Sequence, residues 1–445
     1  MKDNTRIFLT ILLTGIIILS PYALRIFKNN PYDINSESYY NIRISEYDSL
    51  QERTITFSLL NILQKDNLII TKILPLFLAI LCVGLIILIM KKHNIVDKNI
   101  MPTILILIAS PAFIYTFVDL KYFSYTLALS LLFVYFLVNK KNFLSAIPLI
   151  AMPFFDYYSS IIAIIFINLY LIITKNKNRK TFLIIGLMSL TVASITNFYI
   201  LKIQPILPIN NLLIITDITG EVGFSFSMII LSIIGIILLW EKGLKNFIIN
   251  ILIILLLILS TFSIELKAYM VLILSLYAGF AFSYLKKRKW SIQIIKKVTM
   301  LLIVCSIVFT TVLYISKLSN SNPTNNDIDA LKFLKDYSFN NEKILSSHEN
   351  GFLIQYYANR PTLTDQKTKN YEPEKMKIYE EIIKSRNLEK TETLLKNNNI
   401  KYFYIDKKFK KTLEEKEGLL FLLEQSKKFQ QIYKNQEIEI WMHIG

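Results

Sequence analysis

Apolar residues in this chain come in long blocks separated by short charged turns. Soluble strands would alternate singly and surface helices would show a stripe. A bilayer span needs roughly 20 apolar residues, with about 17 the practical minimum. Blocks meeting or approaching that length begin near Ile7, Leu68, Ile100, Tyr122, Phe143, Tyr157, Phe182, Phe224, Phe247, Tyr269 and Val298. The pattern predicts a polytopic α-helical membrane protein with about eleven transmembrane helices, the pair Phe143–Phe155 and Tyr157–Ile173 being the shortest. The first block, ending near Phe27, is too long for a signal-peptide core and no small-residue cleavage site follows it, so it reads as a retained span.

The pattern changes at Ser316–Asn326, a Ser/Asn/Pro linker, which divides the chain into a transmembrane domain, 1–316, and a C-terminal domain, 317–445. The second part is long enough to build its own core. Asn326-Asp327 caps a predicted helix through Tyr337. Further helices are predicted over Glu374–Arg386, Leu388–Lys396 and Lys408–Leu423. Strands are predicted over Lys343–Ser346, Ile400–Ile405, Phe429–Tyr433 and Glu437–Ile444, the last two forming a hairpin over Lys434-Asn435-Gln436. The expectation is a mixed α/β domain.

Charge orients this plan. The formal net charge is +17, yet only 19% of residues are charged, and Lys and Arg collect in alternate short loops. Lys91-Lys92, Lys140-Lys141, Lys175 to Lys180, Lys242 to Lys245 and Lys286 to Lys289 mark one side; Asp119, Asp156, Asp217, Glu221 and Glu265 recur on the other. The positive-inside rule makes this a multi-pass cell-membrane protein with a cytoplasmic N-terminus and an extracytoplasmic C-terminal domain. Basic residues used this way argue against nucleic-acid binding. Cys82 and Cys305 lie inside apolar blocks, which excludes a disulfide framework or a zinc cluster. No phosphate-binding glycine loop, dinucleotide turn, His-Glu-x-x-His or Gly-x-Ser-x-Gly is present. The spans read as uniformly apolar, with acids at their outer ends, which places chemistry at the outer surface rather than along a path through the membrane.

The first outer loop is the richest in candidate chemistry. Asn35-Ser36 can cap a helix on which Tyr39, Tyr40, Arg43, Ile44 and Tyr47 fall broadly on one side, as in an interfacial helix. Glu37 and Asn41 share a face, with Arg43 displaced around the helix. A carboxylate that can hold a metal or an acceptor, near an arginine that can meet a phosphate, suits a lipid-phosphate substrate. The same residues also suit a solvated helix end anchored by its tyrosines. Asp156 and Glu265 read as turn acids, and Lys267 as an interfacial lysine or a phosphate contact.

Glu37-x-x-x-Asn41-x-Arg43 resembles the Asp-Pro-Trp-Phe-Asn-Tyr-Arg type motif of archaeal and eukaryotic oligosaccharyltransferase catalytic subunits, with the same spacing in the same loop. Ser346 to Asp365 is similar to that family's Trp-Trp-Asp-Tyr-Gly segment and its continuation: Gly351, Ile354-Gln355-Tyr356 and Asn359-Arg360-x-Thr362-x-x-Asp365 fall in order. The resemblance implies a divergent C-type glycosyltransferase, which moves a sugar or oligosaccharide from a polyprenyl-phosphate-linked donor in the membrane to an extracytoplasmic protein or glycan acceptor. It implies Glu37 and Asp119 as catalytic residues that would hold a divalent cation, magnesium or manganese. It assigns Asn41, Arg43, Glu221 and Glu349 to substrate binding, Glu221 through Ile218-Thr219-Gly220-Glu221, which resembles the family's Thr-Ile-x-Glu; Lys121, which departs from the family, is placed with them as a candidate phosphate contact.

The departures bear on substrate and metal. Ser347-His348-Glu349 retains an acid but lacks both tryptophans, so the apolar walls of a sequon-reading pocket are missing. In Asp119-Leu120-Lys121 a lysine replaces the later metal ligand: either fewer groups hold the metal, or Lys121 itself neutralises the leaving phosphate. Three alternatives follow from the residues. One is a single-sugar polyprenyl-phosphate-dependent transferase acting on a lipid, glycan or protein hydroxyl. The second is a non-catalytic lipid-carrier or polysaccharide transporter, and the third a purely structural membrane anchor; the weakened metal and sequon motifs also permit a paralogue that has lost activity.

Overall fold

The computed structural model describes residues 2–34, 38–39, 70–196, 222–240, 244–366, 368, 372–416 and 418–444. Glu37, Asn41, Arg43 and Glu221 lie outside the described residues. Contacts divide the chain into two units. The first carries the apolar helices. The second joins residues 26–34, Ser38 and Tyr39 to the chain from Ser321 onward.

In the first unit the helices are α1 (Lys2–Phe27), α2 (Ile70–Lys92), α3 (Asp97–Ile108), α4 (Pro111–Val118), α5 (Tyr122–Val138) and α6 (Asn142–Phe155). They continue with α7 (Tyr157–Ile173), α8 (Arg179–Ser194), α9 (Phe226–Trp240), α10 (Leu244–Leu259), α11 (Ile264–Lys287) and α12 (Gln293–Ser319). Among the described residues four helices are long and apolar enough to cross a membrane, and a fifth span arises if α3 and α4 are taken together. Shorter apolar helices of 10–17 residues account for further blocks. Exposed Phe8, Phe143, Leu302 and Phe309 lie on these helices, as a lipid-facing surface requires.

Two glycines allow close helix contacts. A Cβ on Gly235 of α9 would overlap the backbone of Tyr277 on α11, and one on Gly279 of α11 would overlap Thr103 on α3. Small residues let helix backbones touch where no hydrophobic force between helices is available. Ser232 on α9 adds a hydroxyl hydrogen bond to the Leu274 carbonyl, 2.9 Å.

The block beginning at Ile100 is not a uniform span. It bends by 63° between α3 and α4, where Pro111 opens α4, the position at which proline's missing N–H is harmless. The groups released by the break are met from elsewhere: the Thr311 hydroxyl donates to the Ala109 carbonyl at 2.8 Å, and the Ala112 N–H donates to the Gly223 carbonyl at 3.1 Å. Apolar composition hid the break, because the tertiary partners that permit it are far away in sequence.

The second unit has α13 (Asn325–Tyr337), β1 (Lys343–Leu345), α14 (Gly351–Tyr357), α15 (Pro373–Lys384), α16 (Leu388–Asn397), β2 (Ile400–Asp406), α17 (Lys407–Lys416), α18 (Leu419–Gln425), β3 (Phe429–Lys434) and β4 (Ile438–His443). The sheet order is β1-β2-β4-β3, with β1 parallel to β2 and the other pairs antiparallel. Alternation along β2 sends Tyr402 and Tyr404 into a core with Leu331, Leu334 and Ile354, and Phe403 and Ile405 into one with Ile382, Leu413 and Leu423. Helices therefore cover both faces.

Two details differ from the sequence reading. The cap of α13 is Thr324, which forms a capping box with Asp327, and the helix predicted over Lys408–Leu423 is two helices. At the break, a Cβ on Gly418 would overlap the Ile383 carbonyl, so the chain turns where only glycine fits.

Candidate active site

α4 ends at Asp119, and α5 begins after Lys121, with both residues in extended conformation. Extended backbone sends residues two apart to the same side, so Asp-x-Lys brings the two charges together. Lys121 Nζ stands 4.0 Å from Asp119 Oδ2, and both side chains are buried, with 1% and 2% exposed. The Tyr22 hydroxyl of α1 donates to Asp119 Oδ1 at 2.6 Å. Lys121 Nζ donates to the Tyr115 carbonyl at 2.6 Å and lies 3.2 Å from the centre of the Tyr115 ring. Lys72 Nζ, from the start of α2, lies 4.8 Å from the centre of the Tyr22 ring. Asp119 Oδ2 is buried with no hydrogen-bond partner among the described residues.

Two more cations are fully buried in this unit. Arg25 lies one turn beyond Tyr22 on α1, and Lys267 lies in the first turn of α11. Lys267 Nζ donates to the Val222 carbonyl at 2.6 Å, beside the Gly223 carbonyl that accepts from the start of α4. Asp119 is the only fully buried carboxylate among this unit's described residues, against Arg25, Lys121 and Lys267. Tyr22, Arg25 and Lys72 were not legible as site residues, because the first two read as part of the opening block. An arginine inside an apolar block's last turn was the available signal.

Among the described residues no group of three His, Cys, Asp or Glu side chains converges to hold a metal. Of the two predicted ligands only Asp119 is described, and its neighbours are an ammonium and a phenol.

In the second unit the segment from Ser346 to Asp365 forms β1's exit, α14 and a return loop. A Cβ on Gly351 would lie 2.5 Å from Asp365 Cβ, so the glycine allows the loop to close on the helix. Gln355 Nε2 donates to Thr362 Oγ1 at 2.9 Å and to Asp365 Oδ2 at 3.3 Å. Buried Arg360 donates to the Ser338 hydroxyl, the Lys335 carbonyl and the Asn340 side chain. These residues hold the fold. Glu349 instead is exposed and paired with Lys408, Nζ to Oε2 at 2.6 Å.

Tyr39, two positions after Glu37, is fully buried rather than interfacial. Its ring centre is 5.2 Å from that of Tyr356 and 5.3 Å from that of Tyr357. Burial pushes the Tyr357 phenol up, so it stays a neutral hydrogen-bond donor to Tyr39, 3.4 Å away. Tyr39 and the Ser346–Asp365 segment thus share one unit through these rings.

No protein-family model and no curated protein matches the sequence. Solved structures do match by shape. The archaeal oligosaccharyltransferase AglB from Archaeoglobus fulgidus, in complex with an inhibitory peptide and a dolichol-phosphate, superposes with TM-score 0.61 at 10% identity, over 90% of this chain and 69% of that one. The Archaeoglobus fulgidus enzyme in complex with Zn and sulfate gives 0.58 at 11% identity, over 89% and 68%. ArnT from Cupriavidus metallidurans, bound to undecaprenyl phosphate, gives 0.54 at 10% identity, over 98% and 97%. At such identities the likeness is one of fold, and the chain has the fold of the C-type membrane glycosyltransferases.

Proposed function

We propose that the protein is a membrane glycosyltransferase that moves a sugar from a polyprenyl-phosphate-linked donor to an extracytoplasmic acceptor. The observation that carries this reading is the buried Asp119–Lys121 pair at the end of a broken helix, in a fold shared with proteins solved bound to dolichol-phosphate and undecaprenyl phosphate. In the proposed topology the α3–α4 pair is one span and each other apolar helix of the first unit is another, giving eleven. With the N-terminus cytoplasmic, domain 317–445 is then outside. Tyr22, Arg25, Lys72, Asp119, Lys121 and Lys267 all fall at outer helix ends.

In the transfer, the bond from the anomeric carbon to the phosphate oxygen breaks, and a bond to the acceptor atom forms on the opposite face, with inversion. The leaving phosphate gains charge, which Lys121, with Arg25 or Arg43, stabilises in a water-poor site. Asp119 or Glu37 accepts a hydrogen bond from the acceptor and takes its proton. Asn41 and Glu221 belong to the substrate side. Of the two alternatives for Lys121, the lysine as counter-charge is favoured over a thinly held magnesium or manganese, because an ammonium occupies the neighbourhood of Asp119.

A second reading concerns the acceptor. Glu349 sits on an exposed surface in an ion pair with Lys408, without the apolar walls that recognise a threonine methyl. That favours a single-sugar transferase acting on a lipid, glycan or protein hydroxyl over sequon recognition. The test is transfer from a mixed polyprenyl-linked donor pool by purified protein, with and without chelator. Asp119→Asn and Glu37→Gln are each expected to lower transfer by on the order of 10²–10³, and the chelator to leave it. Transfer that survives both substitutions would refute the site, and no transfer to any acceptor would favour the transporter or inactive reading.

A further inference from the structure

The first unit also contains a cavity of about 260 Å³ between α2, α5, α7 and α11, separate from Asp119. Its walls are side chains such as Ile86, Leu131, Val134, Phe166 and Ile273. Tyr269 stacks on Phe166 at 5.3 Å and closes one side. At the end of α2, His93 Nε2 and the Tyr170 hydroxyl hydrogen-bond at 2.8 Å. Both residues line the cavity, and His93 is exposed beside the exposed Lys91 and Lys92.

Three occupants compete for this space. Water is a poor one: each molecule needs two to four polar partners, and these walls offer few. A void forfeits dispersion contacts on every wall. A hydrocarbon chain from the surrounding bilayer suffers neither penalty, since lipid tails are as apolar as the walls. A methylene occupies about the volume of one water, ~30 Å³, so the space takes a chain segment on the order of nine methylenes. The ammonium groups at its mouth suit an anionic headgroup.

We propose that this cavity binds one hydrocarbon chain of an anionic membrane lipid, entering past the His93–Tyr170 pair with its phosphate near Lys91 and Lys92. Its mouth at His93 and Tyr170 lies at the opposite helix ends from the proposed chemistry, and the proposal does not depend on that chemistry.

The test is photolabelling of the full chain in vesicles. One arm uses phosphatidylglycerol with a diazirine at the end of one acyl chain, a second the matching phosphatidylcholine, and a third a photoreactive polyprenyl phosphate. Peptides carrying Val134, Phe166 or Ile273 are expected to label above the lipid-facing peptide carrying Phe309. Ala163→Phe, which fills the cavity, should reduce that labelling to the lipid-facing level. Should Ala163→Phe fail to fold, Val134→Ala enlarges the same space and should raise labelling. Labelling by phosphatidylglycerol identifies an acyl chain, and labelling by the polyprenyl phosphate alone identifies an isoprenoid chain on the same phosphate chemistry. Equal labelling by phosphatidylcholine would overturn the anionic headgroup. Cavity labelling no higher than at Phe309, and unchanged by both substitutions, would overturn the site.

Discussion

Removing one member of the Asp119–Lys121 pair should uncouple stability from chemistry in a measurable way. At 4.0 Å and an effective dielectric near 20, the pair attracts by about 4 kcal/mol. Lys121→Met leaves the Asp119 carboxylate buried with the Tyr22 hydrogen bond alone among the described contacts, a change that costs roughly 3–5 kcal/mol in comparable buried pairs. Asp119→Asn should cost less, because asparagine still accepts from Tyr22 while Lys121 keeps the Tyr115 carbonyl and ring. The double variant removes both charges, and a coupling of about 3 kcal/mol is expected, near the upper end for residues in contact. Transfer should behave otherwise: each single variant loses on the order of 10²–10³ in rate, and the double variant recovers stability without recovering rate. The assay is chemical unfolding in mixed micelles beside sugar transfer, on all four proteins. Coupling below about 0.5 kcal/mol, or a double variant that regains transfer with stability, would refute the reasoning.

Three further outcomes are expected. Gly351→Ala should destabilise the second unit by about 1–3 kcal/mol, since the added methyl meets Asp365 where the loop closes; an unchanged melting profile of the full chain would count against that packing. Burial holds the His443 imidazole below its ordinary 6.5, with Lys396 and Lys428 acting in the same direction and Glu392 against it. A depressed folded-state pKa gives stability that is whole above the unfolded value and is lost as pH falls through the folded one. Acidification from about pH 8 to about pH 5 should therefore lower the melting temperature of the wild type more than that of His443→Phe. Glu349→Gln should change stability by about 0.5 kcal/mol or less, as for exposed ion pairs. It should raise the acceptor KM while leaving the donor KM alone, and an unchanged acceptor KM would remove Glu349 from the site.

The C-terminal domain was the most legible part of the sequence. Its strands alternate over a two-sided sheet, its helices carry local caps, and the hairpin over Lys434–Gln436 announced itself through turn residues. Such signals are local. Where they failed, the cause was a contact between distant residues. The α3–α4 break rests on Thr311 and Gly223, and nothing within the block revealed it beyond Pro111. Asp119 and Lys121 were visible as charges in a turn, but Tyr22 lies 97 positions away from the carboxylate it touches. Tyr39 read as an interfacial anchor because aromatic residues beside a span usually are; its partners, Tyr356 and Tyr357, stand at the far end of the chain.

Where this chain keeps the oligosaccharyltransferase-like pattern and where it departs from it differ in their contacts. Gly351, Gln355, Arg360 and Asp365 keep the pattern; Gly351, Gln355 and Asp365 close α14 against its return loop, and Arg360 ties that loop to the end of α13. Ser347, His348 and Glu349 depart from it; the first two are only partly buried and Glu349 is exposed. The retained positions hold the loop and helix together, while Glu349 pairs with Lys408 at the surface. Under the proposed function, a retained segment whose tip lacks both tryptophans goes with a different acceptor. Hydroxyl-bearing lipids or glycans should accordingly accept sugar where Asn-x-Thr peptides do not. Introducing tryptophans at Ser347 and His348 should leave the domain folded, because neither site is closed over. A gain of peptide labelling in that double variant would locate acceptor choice at this tip, and unaltered acceptor preference would place it elsewhere.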